Sequence, residues 1–351
     1  MKQKRKKSVK RERKSYDICQ SALYNTSTKS KLASLFSIGL HELRECIGDY
    51  RQFQLIPEPD PFKAGKLPKA RQVQKPSARL LVIHEQILKL LRCVRVPEYM
   101  QFALKGTSYK INAESHLSKN TVATLDIRNF FGSTSKSKVF NFFKEDLKAP
   151  GDVANLYADL ITFENCLPTG SPLSPLISFY ANKNLYEDIN NLAKAHNLKF
   201  TCYVDDLTFS GDKISSGFMW QIEEAIAKYG HVVARDKTKI YKNGRPAHIT
   251  GVIVHDGVIR VPNARHRKMR LIKAAIARGK GTHGFSKKEL EYKLGGLLGE
   301  AAYLDPSHLP AAIEFNKSVQ RYSLVATEYK SNRPETGSEQ PLDSPVNLPW
   351  D

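Results

Sequence analysis

Phe200-Thr201-Cys202-Tyr203-Val204-Asp205-Asp206-Leu207-Thr208-Phe209-Ser210 places two adjacent acids between two runs of β-branched, aromatic and apolar residues. That is the pattern of a hairpin carrying carboxylates at its tip. Successive strand residues face opposite sides, so one acid of the pair aims into a site and the turn must redirect the other. An Asp-bearing turn is common by itself. A third acid changes the reading: Asp126 lies in Thr124-Leu125-Asp126-Ile127-Arg128-Asn129-Phe130-Phe131. The apolar start of that stretch predicts a buried strand, and a buried charge needs a partner. Two metal ions would supply it.

Composition narrows what such a site serves. The chain has 351 residues, with 55 Lys and Arg against 35 Asp and Glu, a net charge of +20. A polyanionic partner is the leading expectation. The length suggests about two cooperating units at roughly 150 residues each. Cys19, Cys46, Cys93, Cys166 and Cys202 are scattered and odd in number, with neither zinc spacing nor a secretory framework. A reducing cytoplasm is expected. Neither a membrane-length apolar run nor the apolar core of a signal peptide is present, so no membrane partner is expected.

The first fourteen residues hold nine bases and one acid, Glu12. Such a block reads as a flexible, phosphate-attracted arm or a solubility tail, and the arm is drawn over residues 1–30. Apolar residues at helical spacing from Lys31 to Tyr50 (Leu32, Leu35, Phe36, Leu40, Leu43, Ile47), ended by Pro57, Pro59 and Pro61, predict a helical region over 31–64. Ser77 to Leu91 predicts an amphipathic helix. After the acidic hairpin, 248–254 and 258–261 read as strands joined through His255-Asp256-Gly257, a tight-turn sequence. Asn263 to Arg278 is helical and basic, carrying Arg265, Arg267, Lys268, Arg270, Lys273 and Arg278. It predicts a phosphate-facing surface, with a solvated basic helix as the plainer reading. Ser286 with Glu289 is a capping box opening another helix, and residues 331–351 are rich in Pro, Ser and acids, which predicts disorder.

Taken together these motifs resemble the reverse transcriptases, and among them the bacterial retron type, over roughly residues 65 to 310. Leu125 to Phe131 is similar to the first palm motif of that family. Leu167-Pro168-Thr169-Gly170-Ser171-Pro172-Leu173-Ser174-Pro175 is similar to its template-gripping loop and helix start, and Tyr203-Val204-Asp205-Asp206 to its signature tetrapeptide. Asn112-Ala113-Glu114-Ser115-His116 resembles the retron Asn-Ala-x-x-His element, and Ile249-Thr250-Gly251 its Val-Thr-Gly element. The resemblance implies an α+β right-hand polymerase. Fingers and an antiparallel-sheet palm would occupy 65–255, and a helical thumb or RNA-binding region 256–330.

It further implies a set of roles. Asp126, Asp205 and Asp206 would be catalytic and hold two Mg²⁺ ions, with the Ile127 carbonyl as a backbone ligand; in-line phosphoryl transfer needs charge stabilised on both attacking and leaving oxygens. Phe131, five residues after Asp126, would exclude a ribose 2′ hydroxyl; packing in the core is the plainer reading of either ring of the Phe-Phe pair. Lys69 and Arg71 would pair with triphosphate oxygens, and Lys237 would protonate leaving pyrophosphate or be a plain surface lysine. Thr169 stands where the family usually has Gln, whereas Gly170 still permits close backbone approach. Asn112, His116, Thr250, Gly251, Arg265, Arg267, Lys268 and Arg270 would contact RNA, with a role of Asn112 and His116 in tying fingers to palm as the alternative.

The function implied is copying of a cognate structured noncoding RNA (msr-msd), primed from an internal guanosine 2′ hydroxyl, into branched multicopy single-stranded DNA (msDNA). It would use dNTPs within an antiphage defence module that restrains a separate toxic effector. A group II intron-type enzyme, a diversity-generating or abortive-infection reverse transcriptase, and a non-enzymatic RNA-binding scaffold are the alternatives. The intact acids argue against the last.

Overall fold

Thr121 to Asp126 is a continuous run of β-prone residues, and it forms the strand on which the rest of the sheet is built. The computed structural model describes residues 15–62, 69–117, 119–278 and 284–319, which divide into two units, Met1–Ala264 and Arg265–Asp351. The expected basic arm over 1–14 and the disordered tail over 331–351 lie outside the described residues.

Among the described residues, nine strands make three antiparallel sheets in the first unit. β1 (Tyr50–Leu55) pairs with β2 (Arg71–Pro76). A four-stranded sheet has the order β4 (Lys199–Tyr203), β5 (Asp206–Gly211), β3 (Thr121–Asp126), β6 (Lys239–Tyr241). The third sheet, β7 (Ala247–Ile249), β8 (Val252–His255) and β9 (Val258–Arg260), is a meander. The mixture of helices with antiparallel sheets agrees with the α+β expectation.

Among the described residues ten α-helices belong wholly to this unit: α1 (Lys29–Leu35), α2 (Leu40–Glu45), α3 (Ala78–Leu91), α4 (Tyr109–Glu114), α5 (Phe130–Ser133), α6 (Lys136–Asn141), α7 (Gly151–Ile161), α8 (Ser174–Ala181), α9 (Lys183–Ala195) and α10 (Ser216–Lys228). α3 matches its expected span: the Ser77 hydroxyl accepts from Leu80 N–H, and Leu80, Ile83, Ile87 and Leu91 are buried. α8 is buried along nearly its whole length, and its Phe179 and Tyr180 pack against Tyr186 of α9 and Phe142 in an aromatic core.

Three expectations need correcting. Residues 15–30 are not part of a free arm. Leu23 is fully buried, Tyr16 exchanges backbone hydrogen bonds with the 93–95 segment, and Asn25 N–H donates to Leu147 O. Apolar side chains override the basic composition once Tyr16 is reached. The helical pattern of 31–50 is broken, because Ser37 adopts φ 57° and separates α1 from α2; the chain then enters β1 rather than continuing as helix. Last, 248–254 is not one strand: Thr250 and Gly251, at φ 41° and 87°, form a two-residue turn between β7 and β8. Gly is at home in that conformation and a β-branched residue is not.

The second unit holds most of α11 (Asn263–Ala277), with α12 (Lys287–Leu304) and α13 (Leu309–Val319). The Ser286–Glu289 capping box forms as the sequence implies. Met269, Ile272 and Ala275 are the buried face of α11, while Leu271 is exposed.

Candidate active site

The hairpin β4–β5 closes with Tyr203 opposite Asp206, leaving Val204 and Asp205 as a two-residue loop. Val204 has φ 59°, a left-handed conformation that costs a β-branched residue of order 1–3 kcal/mol. Neighbours hold it there: the phenol of the fully buried Tyr186 donates to Val204 O at 2.9 Å, and Ile127 N–H donates to Asp205 O at 3.0 Å. The second bond ties the hairpin tip to the end of β3. On that strand Asp126 lies directly opposite Asp206. All three acids expected from the sequence therefore meet at one end of the sheet.

Their electrostatics fit a cation site. Burial pushes the Asp205 carboxyl up to about 6, with Asp126 adding repulsion. Burial, then Asp205 and Asp126, push Asp206 up to about 7. Carboxylates in this state are short of positive charge. Lys237 supplies part of it: its Nζ donates to Asp126 Oδ2 at 2.8 Å, which raises the lysine's own pKa. Lys237 thus sits beside the acids. The segment before it is anchored, since Ala234 N–H donates to Asp126 O and Arg128 N–H to Val232 O.

Among the described residues no group of three His, Cys, Asp or Glu side chains is already gathered as a metal cage. Asp126 is turned towards Lys237 instead. The donor set, three carboxylates beside the Ile127 backbone, is nevertheless the hard-oxygen chemistry that divalent cations such as Mg²⁺ prefer.

The two rings of the Phe-Phe pair differ in burial. Phe130 is buried against Tyr186 and His231, while Phe131 is partly buried and packs against the same hydrophobic core. A polar network beneath Phe130 went unnoticed in the sequence: Lys138 Nζ donates to Asn182 Oδ1, Tyr229 O and His231 Nε2, and His231 Nδ1 meets Ser133 Oγ at 2.7 Å. Burial lowers His231 to about 4 and Lys138 to about 8.

The loop carrying Thr169 and Gly170 docks on β2. Gly170 N–H donates to Gln74 O at 3.1 Å, and a Cβ at Gly170 would lie 2.7 Å from that oxygen, so only glycine fits. The loop also reaches Phe131, whose carbonyl accepts from Leu167 N–H. Lys69 and Arg71 are exposed beside this junction in sequence, Arg71 opening β2.

The expected RNA contacts fare unevenly. Asn112 and His116 are fully buried. His116 bridges Ser210 Oγ at 2.6 Å and Thr201 Oγ1 at 2.7 Å, and burial lowers it to about 3. Asn112 Nδ2 donates to Thr250 Oγ1, which itself donates to Tyr109 O. These residues staple α4 to β4, β5 and the β7–β8 turn, so their expected role as direct RNA contacts is corrected to a structural one. Arg265 is held by Glu300 at 2.8 Å; Arg267 and Arg270 are exposed and Lys268 half-buried.

Comparison with known proteins agrees with this geometry. The family described as reverse transcriptase (RNA-dependent DNA polymerase) matches residues 57–254. The chain is similar to the Retron Se72 reverse transcriptase of Salmonella heidelberg (strain 579083-10), 27% identical over 81% of this chain and 75% of that one. It is also similar to the Retron Ec86 reverse transcriptase of Escherichia coli, 25% identical over 59% of this chain and 66% of that protein. A solved foamy viral protease-reverse transcriptase in complex with RNA/DNA hybrid covers 72% of this chain and 27% of its own, at 16% identity and a TM-score of 0.42, too low to add to the argument. With its three acids at one sheet end and more than half its length matched, the chain belongs to the reverse transcriptase family, as an RNA-directed DNA polymerase of the retron type.

Proposed function

We propose that this protein copies a cognate structured noncoding RNA into branched msDNA, starting from the 2′ hydroxyl of an internal guanosine, within a retron antiphage system that restrains a separate effector. The observation that carries the polymerase chemistry is the cross-strand pairing of Asp126 with Asp206 beside the Asp205 tip. The retron likeness supplies the RNA and the product. Retron reverse transcriptases act with a template RNA and nucleotides; the msr-msd RNA and the effector are the proposed partners here.

Reverse transcriptases use divalent metal ions, and two Mg²⁺ ions are proposed, held by Asp126 and Asp205 with Asp206 in support and the Ile127 carbonyl as an added ligand. When bound, such ions stabilise charge on the attacking and leaving oxygens of phosphoryl transfer. The chain's own residues do the remaining work. Lys237, already charged and beside Asp126, is placed to give a proton to leaving pyrophosphate. Phe131 bounds the sugar, Gly170 lets the backbone approach, and Lys69 and Arg71 meet the triphosphate. Fingers and palm are assigned to the first unit and a thumb to the second; Arg267, Arg270 and Lys268 of α11 are the proposed phosphate contacts. Among the described residues no helix is long and apolar enough to cross a membrane, and work in the cytoplasm is proposed.

The test is to express the gene with about a kilobase of native flanking DNA, extract nucleic acid, and seek a short RNase-resistant DNA carrying a branched RNA stub. The expected band disappears with Asp205→Asn while RNA binding persists. Active, soluble protein that makes no branched product removes the retron priming and favours an intron-type template instead.

A further inference from the structure

Thr169 brings a short hydroxyl to a place bounded by β2, and the side chain it meets there is Gln74. Thr169 N–H donates to Gln74 Oε1 at 3.2 Å. Because an N–H only donates, the oxygen end of the amide must face it, which fixes the orientation of the carboxamide. The Thr169 hydroxyl lies 3.1 Å from Gln74 Oε1 and 3.1 Å from Gln72 O, and its one proton serves either acceptor. One residue on, Gly170 N–H bonds to the Gln74 backbone carbonyl. Gln74 therefore grips the loop through both its side chain and its main chain.

The grip extends in both directions. Along β2 it reaches Arg71, three residues earlier on a strand held by six paired positions to β1. Along the loop it reaches Leu167, whose N–H is shared between Phe131 O and Thr134 O at 3.2 Å each. Hydrogen bonds and the short covalent run from Leu167 to Thr169 thus join the strand that carries Arg71, the Thr169–Gly170 backbone and the carbonyl of Phe131. No role is assigned to Gln74 by the sequence motifs, which pass over β2 after Arg71.

We propose that Gln74 is a positioning residue for nucleotide selection: by clamping Thr169 it fixes the loop between β2 and Phe131, and so sets how tightly and how selectively a deoxynucleotide is held. The inference rests on the polymerase reading above. Its effect is on binding geometry, since Gln74 acts through Thr169 and Phe131.

The test is steady-state extension of a DNA primer on an RNA template by the full-length protein. Gln74→Leu keeps the size and removes the acceptor. A net hydrogen-bond contribution of about 0.5–1.5 kcal/mol corresponds to about 2–10-fold, so the KM for dNTP should rise by about that factor with kcat within about 2-fold. Selectivity for dNTP over rNTP should fall in parallel. Gln74→Glu keeps the acceptor towards Thr169 N–H, so it restores the dNTP-over-rNTP ratio even where its charge weakens overall binding. Thr169→Val added to Gln74→Leu should cost less than the two separate effects combined, because both act through one contact. Hydrogen exchange should show Thr169 N–H losing protection in Gln74→Leu. An active wild type with unchanged KM and selectivity in Gln74→Leu overturns the inference alone, as does a variant that loses kcat, KM and melting temperature together. A folded wild type that extends no primer on any RNA template overturns the polymerase reading, and this inference with it.

Discussion

Replacing Asp205 by Asn should abolish DNA synthesis and, in the absence of divalent metal, make the protein more stable. The Asp205 carboxyl is pushed from its ordinary 3.8 to about 6. At about 1.36 kcal/mol per pKa unit the shift corresponds to about 3 kcal/mol of native-state penalty for the ionised form. Asp205 is only partly buried and shares its repulsion with Asp126 and Asp206, so about 1–2 kcal/mol is the expected gain from removing the charge. The sign follows from linkage. A carboxyl with a raised folded pKa binds its proton more tightly when folded, so stability is present below about pH 4 and is lost as pH rises through about 6. At pH 7.5 with EDTA, Asp205→Asn should melt higher than wild type by about 2–4 °C. Millimolar Mg²⁺ should raise the wild type and leave the variant nearly unmoved. Differential scanning calorimetry at pH 5 and pH 7.5, with and without metal, reads all of these. If the variant melts lower than wild type in EDTA at pH 7.5, mutual repulsion does not govern this site and the argument fails.

Phe131→Val should admit ribonucleotides, raising rNTP incorporation relative to dNTP by about 10-fold or more in primer extension, while Phe130→Val should instead lower the melting temperature, since that ring is in the core. Gly170→Ala should cut synthesis at least about 10-fold in the same assay, because its Cβ meets backbone rather than a yielding side chain. His84, His116 and His231 are lowered by burial to about 4, 3 and 4. A base with a depressed folded pKa contributes stability present above about pH 6.5 and lost as pH falls towards 4, so the wild type should lose melting temperature over that window. His116→Gln should be less stable at pH 7 by about 1–3 kcal/mol yet show a shallower acid decline.

Local pattern made the β4–β5 hairpin, the strand ending at Asp126, the α3 helix and the Ser286 cap legible, because each rests on neighbours in sequence. β1 and β2 were missed. Arg71-Gln72-Val73-Gln74-Lys75 has little apolar surface, and what orders it is pairing with β1 and the docking of Thr169 and Gly170, nearly a hundred residues away. The burial of His116 was equally hidden: a motif gives spacing, but only the meeting of α4 with Ser210 and Thr201 shows that both ring nitrogens are used internally. Lys138 and His231 lie 93 residues apart, with no local cue that they share a network. The three acids were readable because their chemistry is costly anywhere else.

Val204 keeps an unfavourable backbone angle because a phenol from α9 and the Ile127 amide just beyond β3 restrain the hairpin tip from two sides. Geometry at the acids consequently depends on Tyr186, a fully buried residue of the aromatic core. A change as mild as Tyr186→Phe, which would look like routine variation inside an aromatic core, releases one of those restraints. The damage would surface as a polymerase with all its carboxylates intact and its aim lost, so the part of this chain least tolerant of drift extends behind the active site, into the hydrophobic interior.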